Sequence, residues 1–309
     1  MNIPEVKWLV ELDVFDDNQD ALLKAIKNAG YNYKTLQYIP FDDDIVIKTS
    51  KLYDENDCVI FYGSLNFGHK LKKATWVPGV YLNDKALKCS SYYSVFKKYL
   101  LHENYWMLPF GDLINKKEQI FEYFDLFQKF SKKDRHGKIF IRPDSNSKEF
   151  TGMICTWDSF EDNIKLASFY DVEPDMQVLI SFEIPLLKEW RFVIVDEEPI
   201  SGSLYRDWSK PEKLQYGHTT KDYVLMHSHS VAEECDDPNV WEKVKQWAKM
   251  YNPDKCWTID ITKTLSGEYK ILEIGCFSCA GMYGNDLNKV VKAVSESALK
   301  EWKEYFIPE

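Results

Sequence analysis

Residues 256–283 read CWTIDITKTLSGEYKILEIGCFSCAGMY, and this stretch decides the fold. Two β-rich runs, CWTIDIT and YKILEIG, flank Leu265-Ser266-Gly267-Glu268, which carries the signature of a hairpin turn. With Ser266 and Gly267 as turn residues and Leu265 and Glu268 as the closing pair, counting outward sets Asp260 opposite Glu273. Side chains alternate along a strand, so both acids leave from one face. Trp257, Ile259, Ile261, Leu272 and Ile274 line the other, which is a core face. Opposed positions hold Cβ atoms roughly 5 Å apart, and like charges there repel. Two acids so placed point to a cation between them. Mg2+ is the natural candidate, because it takes one or two carboxylates and completes its shell with water and nucleotide phosphates. The same residues also fit an ordinary amphipathic hairpin that shows its acids to water, and a longer turn or a bulge would undo the register.

Working upstream, residues 176–184 (MQVLISFEI) form an apolar strand that turns polar at its end. Residues 188–195 (KEWRFVIV) and 199–206 (PISGSLYR) read as an antiparallel pair about a turn at 196–198. Arg191 directly precedes FVIV and Arg206 closes the next strand. Arginines there suit a bound anion, and they equally suit a structural acid. Residues 138–152 (KIFIRPDSNSKEFTG) give a short strand stopped by proline, then a polar loop with Ser145, Ser147 and Lys148. Arg142 and Lys148 supply charge and the loop N–H groups supply donors, a pattern that suits a phosphate chain. A basic surface hairpin would look the same.

The rest of the chain supplies layers. Strands are expected over 7–14, 33–39 and 57–63 and a helix over 18–29, which together describe a small α/β layer. Residues 63–68 (GSLNFG) read as a turn. Helices are expected over 90–101, 115–132, 158–167, 238–251 and 286–305, the last burying Leu287, Val290, Val291, Val294 and Leu299. A domain boundary is placed near Gly111, giving an N-terminal domain over 1–111 and a second domain over 112–309.

Composition narrows the classes. With 309 residues, 45% hydrophobic and 15% aromatic, the chain is a folded globular protein large enough for two domains. A net charge of −10 argues against nucleic acid or anionic membrane as partner. No apolar run reaches membrane-span length, and the N-terminus lacks a secretory pattern, so a cytoplasmic protein is expected. Seven scattered cysteines read as reduced and structural, Cys276-Phe277-Ser278-Cys279 included. His227 and His229 share a strand face without a third metal ligand nearby, which favours a structural role.

Taken in order, these pieces resemble the ATP-grasp superfamily over residues 115–309. The resemblance implies an α+β ATP-grasp fold, two α+β subdomains gripping ATP, preceded by a small α/β domain. It implies that Arg142 stands where these enzymes usually carry a lysine and reaches the ATP phosphates, with Lys148 in the lid loop over 147–152. Ser181, Phe182, Glu183 and Ile184 would form the hinge at the adenine edge. Glu183 and Glu189 are candidates for the ribose hydroxyls, with Glu189 the better positional match. Arg191 and Arg206 would hold the γ-phosphate or the substrate carboxylate, and Asp260 and Glu273 would bind Mg2+. Two departures mark a divergent, arginine-rich branch. Gly275 stands where the family has asparagine two residues after the metal glutamate, and Arg142 differs in geometry from lysine. Either water, Ser278 or Asn285 replaces the missing ligand, or the departure weakens catalysis.

The implied activity is ATP- and Mg2+-dependent joining of a carboxylate to an amine, less often a thiol, through an acyl-phosphate. A small molecule or a peptide would be the substrate. A phosphotransferase on the same cradle and a non-catalytic nucleotide-binding protein are the alternatives.

Overall fold

The hairpin forms, with two irregularities that cancel. In the computed structural model its strands are β12 (Cys256–Thr264) and β13 (Tyr269–Cys276), antiparallel, with Asp260 paired to Glu273. The loop is one residue longer than counted: Glu268 O accepts from Thr264 N–H, and Gly267 takes φ +88 as the left-handed residue of a three-residue turn. That extra residue shifts the pairs nearest the turn by one, so Ile261 faces Ile271. A bulge between Ile261 and Asp260 then restores the register. It also exchanges two core positions: Ile271 is fully buried, whereas Leu272, expected there, is only half-buried.

The structure describes residues 4–15, 18–40, 44–128, 136–147, 149–169, 172–209 and 230–307. They divide into two compact units, Met1–Asn83 with Leu186–Glu309, and Asp84–Pro185. Position 111, where the sequence places a domain boundary, lies inside the second unit.

In the first unit, β1 (Val6–Glu11), β2 (Asn32–Leu36), β3 (Cys58–Tyr62) and β4 (Val77–Gly79) make a parallel sheet in the order β2-β1-β3-β4. Helix α1 (Gln19–Asn28) buries Leu22, Ala25 and Ile26, as its spacing requires. Helix α2 covers Ile45–Ser50. The GSLNFG segment is not a turn but the start of α3 (Leu65–Leu71), because Ser64 Oγ caps Phe67 N–H. Buried Glu11 holds that cap in place by accepting from Ser64 N–H at 2.7 Å and Ser64 Oγ at 3.0 Å.

The same unit contains a five-stranded antiparallel sheet, β11-β10-β9-β12-β13, where β9 is Leu186–Val195, β10 is Glu198–Asp207 and β11 is Ser230–Glu234. Asp196 and Glu197 turn the β9–β10 hairpin with φ of 47° and 67°. Its Phe192 ring packs edge-on against Trp241 of a helix at Pro238–Ala248. The final helix, Leu287–Phe306, sends Val290, Val291, Val294, Ala298 and Trp302 into one core with Trp8, Ile60, Tyr81, Val193 and Val195.

The second unit folds around an antiparallel sheet ordered β5-β8-β6-β7: Trp106–Pro109, Gln177–Phe182, Ile139–Pro143 and Met153–Cys155. Helices Lys117–Phe124 and Phe160–Ser168 bury Ile120, Phe121, Phe124, Phe160 and Ile164 against it. A further helix, Cys89–Phe96, is anchored by Asp144, whose carboxylate accepts from Ser90 N–H and Ser90 Oγ, both at 2.7 Å. Among the described residues, no helix is long and apolar enough to cross a membrane.

Candidate active site

Strand register alone gathers five of the expected residues onto one face of the five-stranded sheet. Arg191 on β9 lies opposite Asp260 on β12, and Asp260 opposite Glu273 on β13. Two residues along β9, Glu189 lies opposite Arg206 on β10. Their side chains pair internally. Arg191 grips Asp260 with two parallel bonds, Nε to Oδ1 at 2.8 Å and Nη2 to Oδ2 at 2.7 Å, and Nη1 reaches Gly281 O at 3.2 Å. Arg206 Nη1 stands 3.5 Å from Glu189 Oε1. The arginines expected to face phosphate or substrate therefore also serve as counter-ions to the candidate metal and ribose acids. Burial works against the Arg191 charge, but the adjoining Asp260 carboxylate outweighs it and raises the guanidinium pKa.

Three aromatic residues that sequence reasoning missed complete the arrangement. Tyr205 Oη donates to Glu189 Oε2 at 2.9 Å and lies 3.5 Å from Asp260 Oδ2. Trp208 Nε1 donates to Glu189 Oε1 at 3.0 Å. Tyr283 stacks on Tyr205 with centroids 4.7 Å apart, and the Arg191 guanidinium lies over both rings. Strict alternation would send Tyr205 to the face opposite Arg206. A bulge between Leu204 and Arg206 brings both to the site, and no residue type in that run announces it.

The acids suit a hard divalent cation that brings most of its own ligands. Asp260 and Glu273 offer carboxylate oxygens from adjacent, directly paired positions. Among the described residues, no three His, Cys, Asp or Glu side chains cluster as a metal cage. Mg2+ fits that limited donor set, because it usually binds through one or two carboxylates plus water and phosphate. Of the proposed substitutes for the missing asparagine, Ser278 is committed elsewhere, its Oγ accepting from Tyr81 N–H at 2.9 Å. Asn285 turns its Nδ2 to Met282 O and Arg191 O, leaving a buried Oδ1 with no hydrogen-bond partner. All seven cysteines are free, six of them buried.

In the second unit, Arg142 is half-buried on β6 opposite Leu179. Its charge, together with burial, depresses the pKa of His102 to about 3, burial being the larger cause. Ser181 and Phe182 continue β8 beyond Ile180, where its pairing with β5 stops, so on the β5 side they lack a strand partner. Their side chains are structural: Ser181 Oγ donates to Asn104 O at 2.9 Å, and Phe182 stacks on Phe127. Glu183 follows the strand and pairs with Lys138 at 3.0 Å. Ile184 is half-buried in the connection to β9. Lys148, His227 and His229 lie outside the described residues.

A family described as an ATP-grasp domain, the second family of its clade, matches residues 122–293, more than half of the chain. This chain belongs to that family. The matched ATP-grasp segment includes every candidate residue named above from Arg142 to Glu273. Solved structures agree on the fold. A D-alanine–D-alanine ligase from Bacillus anthracis, complexed with ATP, is similar at TM-score 0.61 and 13% identity, covering 99% of this chain and 100% of that one. The D-cycloserine synthetase DcsG matches at 0.59 and 12%, covering 95% and 99%. The ATP-grasp ligase PsnB, complexed with a minimal precursor, matches at 0.56 and 10%, covering 95% and 99%. A search of curated proteins found no match.

Proposed function

We propose that this ATP-grasp protein is an ATP- and Mg2+-dependent ligase that joins a carboxylate to an amine through an acyl-phosphate. The observation that carries this reading is the direct pairing of Asp260 with Glu273 on the face that also presents Glu189, Arg191 and Arg206. Asp260 and Glu273 would hold the metal, which when bound offsets the charge of the nucleotide oxygens. Glu189 would take the ribose hydroxyls, and Arg191 and Arg206 the transferring phosphate or the substrate carboxylate. Arg142, Lys148 and the stretch from Ser181 to Ile184 are assigned to the nucleotide's phosphates and adenine edge. Preorganised charge and positioning carry such a reaction, with little need for side-chain acid–base chemistry. The solved structures similar in fold include a D-alanine–D-alanine ligase, a D-cycloserine synthetase and a ligase with a minimal precursor. They support a small-molecule or peptide carboxylate with an amine acceptor.

One feature favours a second reading. Gly275 offers no side-chain donor opposite Thr258, and Asp260 is already held by Arg191, as expected of a protein that binds nucleotide without turning it over. Incubation with Mg·ATP, a metabolite extract and hydroxylamine separates the readings. A hydroxamate together with ADP supports the ligase. A phosphate ester marks a phosphotransferase, and nucleotide binding by calorimetry without ADP release marks the non-catalytic protein.

A further inference from the structure

Glu189 and Asp260 sit on neighbouring strands, each with its own arginine, Arg206 and Arg191. The Tyr205 hydroxyl reaches both acids, 2.9 Å from Glu189 Oε2 and 3.5 Å from Asp260 Oδ2. It has little freedom to leave. Tyr205 is 8% exposed, occupies the bulge in β10, and lies flat on the Tyr283 ring, 15° from parallel. Tyr283 is itself fixed in the left-handed region at φ +50. The loop around it is tied down by Gly284 N–H donating to Ser203 Oγ at 2.9 Å and by Gly281 O accepting from Arg191. Both neighbours are carboxylates, which only accept, so the hydroxyl faces them as the donor. Two carboxylates thus share one immobile hydrogen.

We propose that Tyr205 is a positioning residue that couples the nucleotide-sugar acid Glu189 to the metal acid Asp260, so that each responds to occupation of the other. The inference rests on the roles proposed above for those two acids. Trp208 provides an internal contrast, since its indole N–H donates to the other oxygen of Glu189, Oε1.

The test is calorimetric titration of ATP at a series of Mg2+ concentrations, with thermal melting of each ligand-free variant alongside. Tyr205→Phe keeps the stacked ring and removes only the hydroxyl. It is expected to raise the Mg2+ concentration for half-maximal nucleotide affinity severalfold, and to add nothing when combined with Glu189→Gln. Trp208→Phe is expected to weaken ATP binding without moving that Mg2+ midpoint. An unchanged midpoint in Tyr205→Phe, an equal shift in Trp208→Phe, or strict additivity with Glu189→Gln overturns the coupling role. A lowered melting temperature with an unmoved midpoint does the same, because it shows Tyr205 to be structural only. Asp260→Asn separates this failure from that of the metal assignment: if it too leaves the midpoint unchanged, the assignment of Asp260 falls and the coupling falls with it.

Discussion

Asp260 carries two duties, and they make its removal different from that of its partner. Its side chain is 3% exposed and neutralises a guanidinium that is itself 12% exposed. Truncation would strand that charge, and breaking a buried ion pair costs about 3–5 kcal/mol. Asp260→Ala is therefore expected to lose both nucleotide binding and several degrees of melting temperature, whereas Glu273→Gln, at a half-buried position, loses Mg2+-dependent binding with under about 1 kcal/mol of stability. Chemical denaturation beside calorimetry distinguishes the two; equal destabilisation would show that the Arg191–Asp260 pair is not what holds this face. The acids were legible in the sequence as residues on facing strands, although their exact pairing also needed a bulge that the count did not include. Their partners were not. Nothing in EWRF states that Arg191 will turn to Asp260 on a strand some seventy positions away, which only the neighbouring of β9 and β12 decides.

At the scale of elements, amphipathic spacing was enough to place most helices and strands to within a few residues, but the helix expected over 115–132 ends at Phe124. It failed where pairing is irregular. The β12–β13 register came out as counted only because a longer turn and a bulge offset each other, and the trace of that cancellation is visible in Ile271 replacing Leu272 in the core. The short strands Val77–Gly79, Met153–Cys155 and Ser230–Glu234 escaped notice because three to five residues show no usable period. The turn itself can be tested. A Cβ at Gly267 would meet no atom within 4 Å, so the penalty for Gly267→Ala is that of φ +88 alone. Equilibrium unfolding should register a loss of about 1 kcal/mol. Mg·ATP affinity should stay within about twofold, because the bulge lies between the turn and Asp260. A large loss of affinity would mean that the turn, and not the bulge, sets the position of the acids.

For the whole molecule, one raised carboxylate among the described residues titrates near neutral pH, that of Asp254. Burial, assisted by nearby Glu301 and opposed by the Lys255 amide and Lys72, raises the pKa of Asp254 to about 7. Glu301 is itself raised, again chiefly by burial. A folded pKa above the unfolded one means that the native state binds the extra proton. The associated stability is complete below the ordinary aspartate range and is lost as pH climbs through 7. Unfolding free energy should thus fall by about 1–3 kcal/mol between about pH 5 and 8, and Asp254→Asn should flatten the slope. A profile unaltered by that substitution would place the titration elsewhere. The division of the chain was the least legible feature at this scale. A boundary near Gly111 follows the change from mixed to helical patterning, yet contacts gather Met1–Asn83 with Leu186–Glu309. Such a grouping joins segments far apart in the chain and leaves no local mark in composition.

That grouping has a consequence for how the protein is made. The first strand, with Trp8 hydrogen-bonded through Nε1 to Ser295 Oγ, shares its core with the helix at Leu287–Phe306. The parallel sheet leaves the ribosome long before its covering helix does. Until that helix is synthesised, Trp8, Ile60 and Tyr81 lack part of the surface that buries them, and exposed apolar layers of this kind are prone to aggregate.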